Sequence, residues 1–377
     1  MEYSFYDFLK LIGSLGLFLY GMKIMSEGLQ KVAGDRLRSI LTAMTTNRVT
    51  GVLTGVLITA LIQSSSATTV MVVSFVNAGL LTLAESISVI MGANIGTTVT
   101  AWIISIFGFK VDMAAFALPL LAIALPLIFS GKSNRKSIGE FIFGFSFLFM
   151  GLSYLKANAP DLNANPEMLA FVQNYTDMGF FSILLFLFIG TILTMIVQAS
   201  AATMAITLIM CANGWISLEL GAALVLGENI GTTITANLAA MVANTTAKRA
   251  AFAHFLFNLF GVMWVLAIFP LFLGWVAQLS IHLGIGNPFN NVESVPVALS
   301  LFHTCFNVAN VFLLIWFTKV IAQLVSRIIK SKESSDDAFT LKHIKIGLLS
   351  TPDASLFQAK QEISHYAKNT LLSLIHI

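Results

Sequence analysis

The chain has 377 residues, 57% of them hydrophobic and only 10% charged, with a formal net charge of +3 at neutral pH. A soluble domain carries about a quarter charged residues, so an ordinary soluble fold is excluded, and so small a positive balance gives no footprint for nucleic acid. The short alternating strands of a membrane barrel are absent, which leaves a bundle of helices, each satisfying its own backbone in lipid.

Apolar stretches of about 18 residues or more predict spanning helices. The first lies near 8–30 and is expected to be retained, since Glu2 and Asp7 precede it and no small-residue cleavage site is present. An apolar run at 49–81 follows, interrupted by polar Gln63–Thr69, and then helices near 84–107 and 113–130. Beyond them come a helix near 139–156, a run at 180–214 interrupted at Gln198–Thr203, helices near 217–243 and 250–278, and a last helix near 295–326. The arm Gly51–Ile62 reaches about 18 Å at a rise of 1.5 Å per residue, short of a hydrocarbon core about 30 Å thick. Both interrupted runs are therefore read as re-entrant hairpins, whose irregular backbone must lie against protein or a wet cavity.

The chain repeats itself. Gln63-Ser-Ser-Ser-Ala-Thr-Thr69 returns as Gln198-Ala-Ser-Ala-Ala-Thr-Met204, and Gly92-Ala-Asn-Ile-Gly-Thr-Thr98 returns as Gly227-Glu-Asn-Ile-Gly-Thr-Thr233. The two motifs recur at one common offset, as Gln63 to Gln198 and Gly92 to Gly227 show. Gly55 matches Gly190 and Thr59 matches Thr194 at that offset, and Leu17–Met22 is echoed at Phe147–Leu152 at a slightly shorter one. A shared offset across separate motifs marks an internal duplication. The expected units are a first repeat over 1–135, a second over 136–280, a final helix over 281–330 and a tail over 331–377.

Basic residues cluster in alternate loops: Lys31, Arg36, Arg38 and Arg48, then Lys132, Arg135 and Lys136, then Lys248 and Arg249, then Arg327, Lys330 and Lys332. The remaining loops are neutral or acidic. An N-terminus outside and a C-terminus inside the cytoplasm obeys the positive-inside rule throughout, given two re-entrant hairpins. Each half then has three crossings and one hairpin, the odd number inverts the second half, and the polar tips enter from opposite faces to meet near the midplane. Inverted repeats with broken helices at their interface are the architecture of secondary transporters. The expected fold is thus an all-α polytopic membrane protein of two inverted-topology repeats, each with a re-entrant helical hairpin, plus one extra C-terminal transmembrane helix.

The tips carry the chemistry. Ser64, Ser65 and Ser66 precede the returning arm of the first hairpin and Ser200 that of the second, so each set lies at a helix N-terminus, where free N–H groups and the helix dipole favour an anion. Thr97 and Thr98, with Thr232 and Thr233, add hydroxyls in the Asn-Ile-Gly-Thr-Thr segments, where Gly96 and Gly231 invite local unwinding. No lysine or arginine lies near the tips in sequence, so hydroxyls, amides and co-bound cations are expected to hold the anion. Gln63, Gln198, Asn94 and Asn229, with Thr68 and Thr203, supply neutral oxygens suited to a hard monovalent cation. Small and hydroxyl residues also serve tight helix packing; their duplication at both broken centres favours the functional reading.

These paired motifs, with the Gly34–Arg38 stretch Gly-Asp-Arg-Leu-Arg, resemble the type II sodium–phosphate cotransporter family, and its bacterial branch in particular, over roughly Phe8–Ile329. The resemblance implies sodium-coupled symport of inorganic phosphate across a bacterial inner membrane, with the duplicated Gln-Ser elements forming the phosphate and sodium region. It also implies a PhoU-like helical domain after the last span, whose start the polar segment from Phe339 would be. The second tip departs from the first: Ala199, Ala201 and Met204 replace Ser64, Ser66 and Thr69, so the first hairpin is expected to make more of the phosphate contacts.

Glu228, opposite Ala93 in the repeat, is an acid well inside a span; holding an ion or proton is one reading, a hydrogen-bonded structural acid the other. His254 and His303 are read as satisfied structural histidines, Cys211 and Cys305 as small hydrophobes, and Lys23 as snorkelling to the interface. No nucleophile–base pair or metal constellation points to an enzyme, and no cofactor is expected beyond sodium as coupling ion. The expected partners are phosphate, Na+ and lipid; the oligomeric state is left open. A transporter of another oxyanion or a dicarboxylate, or a phosphate-sensing or efflux protein, stands as the alternative.

Overall fold

The computed structural model describes residues 4–43, 47–160 and 174–330, with short stretches between 356 and 367. The tail over 331–377, and with it the expected start of a PhoU-like domain, lies largely outside the described residues. Every regular element among those described is helical, and six helical segments are long and apolar enough to cross a membrane.

Helix α1 (Phe5–Ala43) runs well past the expected 8–30, because the basic stretch after residue 30, although it contains Gly34, has no proline to stop a helix. Helix α2 (Arg48–Ile62) opens on an Asn47–Thr50 capping box, and α3 (Ser65–Asn77) follows after a tight turn. A second capping box, Thr82–Glu85, starts α4 (Leu83–Ser105). A short 3-10 turn leads into α5 (Ala117–Ile128), and α6 (Ser133–Asn158) closes the first set.

The second set repeats the pattern with α7 (Phe180–Val197), α8 (Ser200–Ala212) and α9 (Leu218–Gly231). Three segments expected as single helices are broken. The 217–243 segment divides at Thr232 before α10 (Thr233–Ala240). The 250–278 segment divides at Ile268 into α11 (Thr245–Ala267) and α12 (Phe269–His282), where Pro270 lacks the N–H that would continue the ladder. The last segment divides into α13 (Val295–Leu314) and α14 (Thr318–Ile328) across a 3-10 turn. Helix α14 is strongly one-sided, with Lys319, Gln323 and Arg327 exposed, as suits an interfacial segment.

The repeat is visible in the packing. A Cβ on Gly55 of α2 would overlap the Val89 carbonyl of α4, and one on Gly190 of α7 would overlap the Leu224 carbonyl of α9, the equivalent pair in the second repeat. Gly92 against Val52 recurs as Gly227 against Leu187. These glycines let backbones touch, the close approach that small residues give membrane helices. The expected unwinding at Gly96 does not occur: α4 passes through it unbroken, and the missing side chain there gives room to Thr59 of α2. Its counterpart Gly231, packed against Thr194, does end a helix.

Helices α1 and α6, which carry the echoed segments Leu17–Met22 and Phe147–Leu152, pack on each other through glycines. Gly21 meets Leu148 and Gly151 meets Phe18, while Gly28 meets Phe141 and Gly144 meets Met25. As the number rises along α1 it falls along α6, so the two helices are antiparallel. Helix α4 is largely buried, whereas α1 and α7 expose most of their surface.

Candidate functional site

Two residues other than glycine have positive φ among those described, and they are Gln63 (φ 57°) and Gln198 (φ 53°). Each caps the C-terminus of its helix in the left-handed region, and its N–H donates to the carbonyl four residues back, Thr59 or Thr194. Glycine or asparagine usually fills such a position. Glutamine there stores backbone strain of about 1–3 kcal/mol, a pattern found at functional sites.

Each turn is held by a matched hydroxyl pair. Thr59 Oγ1 donates to Thr68 Oγ1 at 3.0 Å, and Thr194 Oγ1 to Thr203 Oγ1 at 3.1 Å. Thr68 in turn donates to the Ser64 carbonyl at 3.0 Å. Thr68 and Thr203 are fully buried and stand behind the turns, not on their surface.

The next helices begin differently. Ser64 caps α3, its hydroxyl accepting from the Ala67 N–H at 3.2 Å. Ala199 takes the same position before α8 and has no side chain to cap with. Both helices leave first-turn N–H groups without intrahelical acceptors, and both N-termini open into one cavity.

That cavity, of about 370 Å³, is lined by Gln63, Ser64, Ser65 and Ser66 from the first turn and by Gln198 and Ser200 from the second. The fold thus brings together six of the candidate residues from the two repeat-related segments. Alanines of the two turns and a stripe of α1 complete the wall, and that stripe carries Lys23, Ser26, Glu27 and Gln30 beside the apolar Leu19 and Met22. The expectation that no basic residue lies near the tips is therefore corrected: Lys23 stands on the cavity wall, 3.9 Å from the Glu27 carboxylate. The sequence carries a sign of this face, since 23, 26, 27 and 30 fall on one side of a helix. Ser26 pins α1 to the first turn by donating to the Ile62 carbonyl at 2.5 Å, and Gln30 Nε2 donates to Ser26 at 2.9 Å.

The other candidates lie outside this cavity. Thr97, Thr98, Thr232 and Thr233 donate to carbonyls of their own helical turns, Ala93, Ile95, Glu228 and Ile230. Gln63 is tied to α4 through Thr100 Oγ1, which donates to Gln63 Oε1 at 3.0 Å. Asn94 is buried in a network: its Nδ2 donates to Asn258 Oδ1 and its Oδ1 faces His254 Nε2, each at 3.2 Å. An amide so oriented requires the His254 proton on Nε2. Asn229, among the described residues, makes a local bond, its Nδ2 donating to the Val225 carbonyl. Buried Glu228 has no partner for Oε2 among the described residues, nor has either ring nitrogen of His303 or Oδ1 of Asn307. His303 is thus not the satisfied histidine expected. Among the described residues no three His, Cys, Asp or Glu side chains gather to hold a metal ion, so the oxygens near the turns are those of amides, hydroxyls, carbonyls and Glu27.

Six long apolar helices around a pair of repeated turns define a duplicated α-helical membrane protein. The chain belongs to the Na+/Pi-cotransporter family, whose model matches residues 17–157 and 164–286. It is 28% identical over 357 residues to YjbB of Escherichia coli (strain K12), provisionally named an inorganic phosphate export protein, covering 94% of this chain and 62% of that one. It is 31% identical over 318 residues to YqeW of Bacillus subtilis (strain 168), a protein whose name assigns no function, covering 84% of this chain and 96% of that one. A shorter match, 41% identical over 100 residues, links it to sodium-dependent phosphate transport protein 2A of Rattus norvegicus, covering 26% of this chain and 15% of that one. The chain thus spans less than two thirds of YjbB. No solved structure matches it.

Proposed function

We propose that this protein carries inorganic phosphate across a bacterial inner membrane together with sodium, and that the anion binds between the two turns. The observation that carries this reading is the shared cavity: two helix N-termini from repeat-related segments face one space, lined by the serines of one turn and a serine of the other. Convergent N–H dipoles and hydroxyls suit an oxyanion. Gln63, Gln198 and the turn carbonyls offer oxygens to sodium, and the strained left-handed glutamines place their side chains at the tips. The family and the names of relatives in it point to the same solute and ion.

In this reading the repeats are inverted in the membrane, and α2–α3 and α7–α8 enter it as re-entrant hairpins, with the N-terminus outside and the C-terminus cytoplasmic. The antiparallel pairing of the repeat-related α1 and α6 supports inversion. Helix α7, at 18 residues, is long enough to cross alone, yet it ends at a tip that shares a cavity with the tip of the 15-residue α2, which favours hairpins for both. Export is the second reading of direction, favoured by the name of YjbB. The test is flux of radiolabelled phosphate in proteoliposomes under sodium gradients of either sense, with sulfate and succinate as competitors. Sodium-driven phosphate flux that neither competitor blocks is expected; flux indifferent to sodium, or succinate transport in its place, overturns the assignment.

A further inference from the structure

We infer that Lys23 and Glu27 form an exchangeable ion pair that couples anion to cation: an oxyanion takes the Lys23 ammonium, and the carboxylate it releases on Glu27 receives a sodium ion. The inference rests on the reading of the cavity as the solute site. Its observations are the placement of both side chains on the wall facing the two turns and the geometry of the pair. Nζ and Oε1 lie 3.9 Å apart, with the side chains 69% and 48% exposed.

Such a pair is easily opened. Exposed ion pairs at i,i+4 contribute little to stability, and the order here, lysine before glutamate, is the weaker of the two. In the closed pair the charges cancel, so an anion arriving alone must leave Glu27 unpaired beside it, and a cation arriving alone must leave Lys23 unpaired. Arriving together, each finds an opposite charge and the cavity gains no net charge from its own side chains. The exchange therefore makes the two ligands favour each other, and by linkage sodium tightens phosphate by the same factor as phosphate tightens sodium. The backbone position of the pair is fixed independently, since Ser26 between them is bonded to the Ile62 carbonyl at the first turn.

The test is calorimetric titration of inorganic phosphate into the purified full chain, in sodium and in choline at matched ionic strength, for wild type, K23Q, E27Q and K23Q/E27Q. K23Q should weaken phosphate about tenfold in sodium. E27Q should tighten it several-fold in choline, by removing the competitor, and should shrink the gain from sodium. The double variant should bind phosphate weakly with little sodium dependence. K23R, which keeps the charge, should stay within a few-fold of wild type. Phosphate affinities of K23Q and E27Q that match wild type, or that shift in the same direction, overturn the exchange. Failure of the transport reading is a separate result, seen as absent phosphate flux in wild-type proteoliposomes while the opposed shifts of K23Q and E27Q persist in binding.

Discussion

The hydroxyl of Thr59 donates to that of Thr68 at 3.0 Å across the first turn, and Thr68 passes the chain on to the Ser64 carbonyl. The left-handed glutamine lies inside this brace, so its strain is held by buried hydrogen bonds behind it. Replacing Thr68 with Val leaves the Thr59 hydroxyl buried without an acceptor, at a cost of about 1–3 kcal/mol. The double variant T59V/T68V should recover part of that loss, because no hydroxyl is then orphaned. Thermal unfolding in detergent distinguishes the two; a double variant less stable than T68V would count against the brace.

Gln63 offers a trade of stability against function. Glycine adopts its conformation freely, so Q63G should relieve backbone strain of about 1–2 kcal/mol, offset in part by loss of the Thr100 bond. The same change removes an amide oxygen from the cavity and should raise the sodium concentration needed for half-maximal phosphate flux. A Q63G protein with raised melting temperature and unchanged sodium dependence would leave Gln63 no role at the site.

The two tips should differ in their contribution to binding. Ser65 and Ser66 face the cavity from the first turn, while the second offers Ser200 between two alanines. S65A or S66A should weaken phosphate by tenfold or more, equivalent to losing a hydrogen bond of about 1.5–3 kcal/mol to a charged group, and S200A by less. Titration of phosphate in sodium measures this, and equal losses would remove the asymmetry.

Asn94 and Asn229 occupy equivalent repeat positions in different surroundings. N94A strips partners from both His254 and Asn258, buried on α11, and should destabilise the protein by a few kcal/mol. N229A removes one local bond and should cost about 1 kcal/mol. Melting temperatures of the two variants give the comparison; a milder N94A would show the network to be dispensable.

Topology is open to direct labelling. Helix α5 with its preceding 3-10 turn spans Met113–Ile128, short for a crossing. Single cysteines V111C and S133C, in a chain lacking Cys211 and Cys305, should react with an impermeant thiol reagent from opposite faces, position 133 from the cytoplasm. Labelling of both from one face would leave an even number of crossings in the first half and remove the inversion.

Much of this architecture was legible in the linear chain, for reasons that are local. Hydrocarbon demands long apolar helices, which composition and run length reveal, and a repeated Gln-Ser element breaking such a run announces a turn wherever it occurs. The Thr59–Thr68 and Thr194–Thr203 braces follow from the same repeat, because equal sequence folds to equal local geometry. Tertiary structure decided the rest. Gly96 and Gly231 are equivalent in sequence and pack against the equivalent Thr59 and Thr194, yet only the second ends a helix, a difference the local motif does not contain. Lys23 is far from Gln63 along the chain and reaches its cavity only because α1 lies across the first turn through Ser26 and Ile62. Asn94 on α4 finds His254 on α11, in the other repeat. Sequence periodicity specifies which residues share a face of one helix; which faces of different helices enclose a common space is settled by their packing alone.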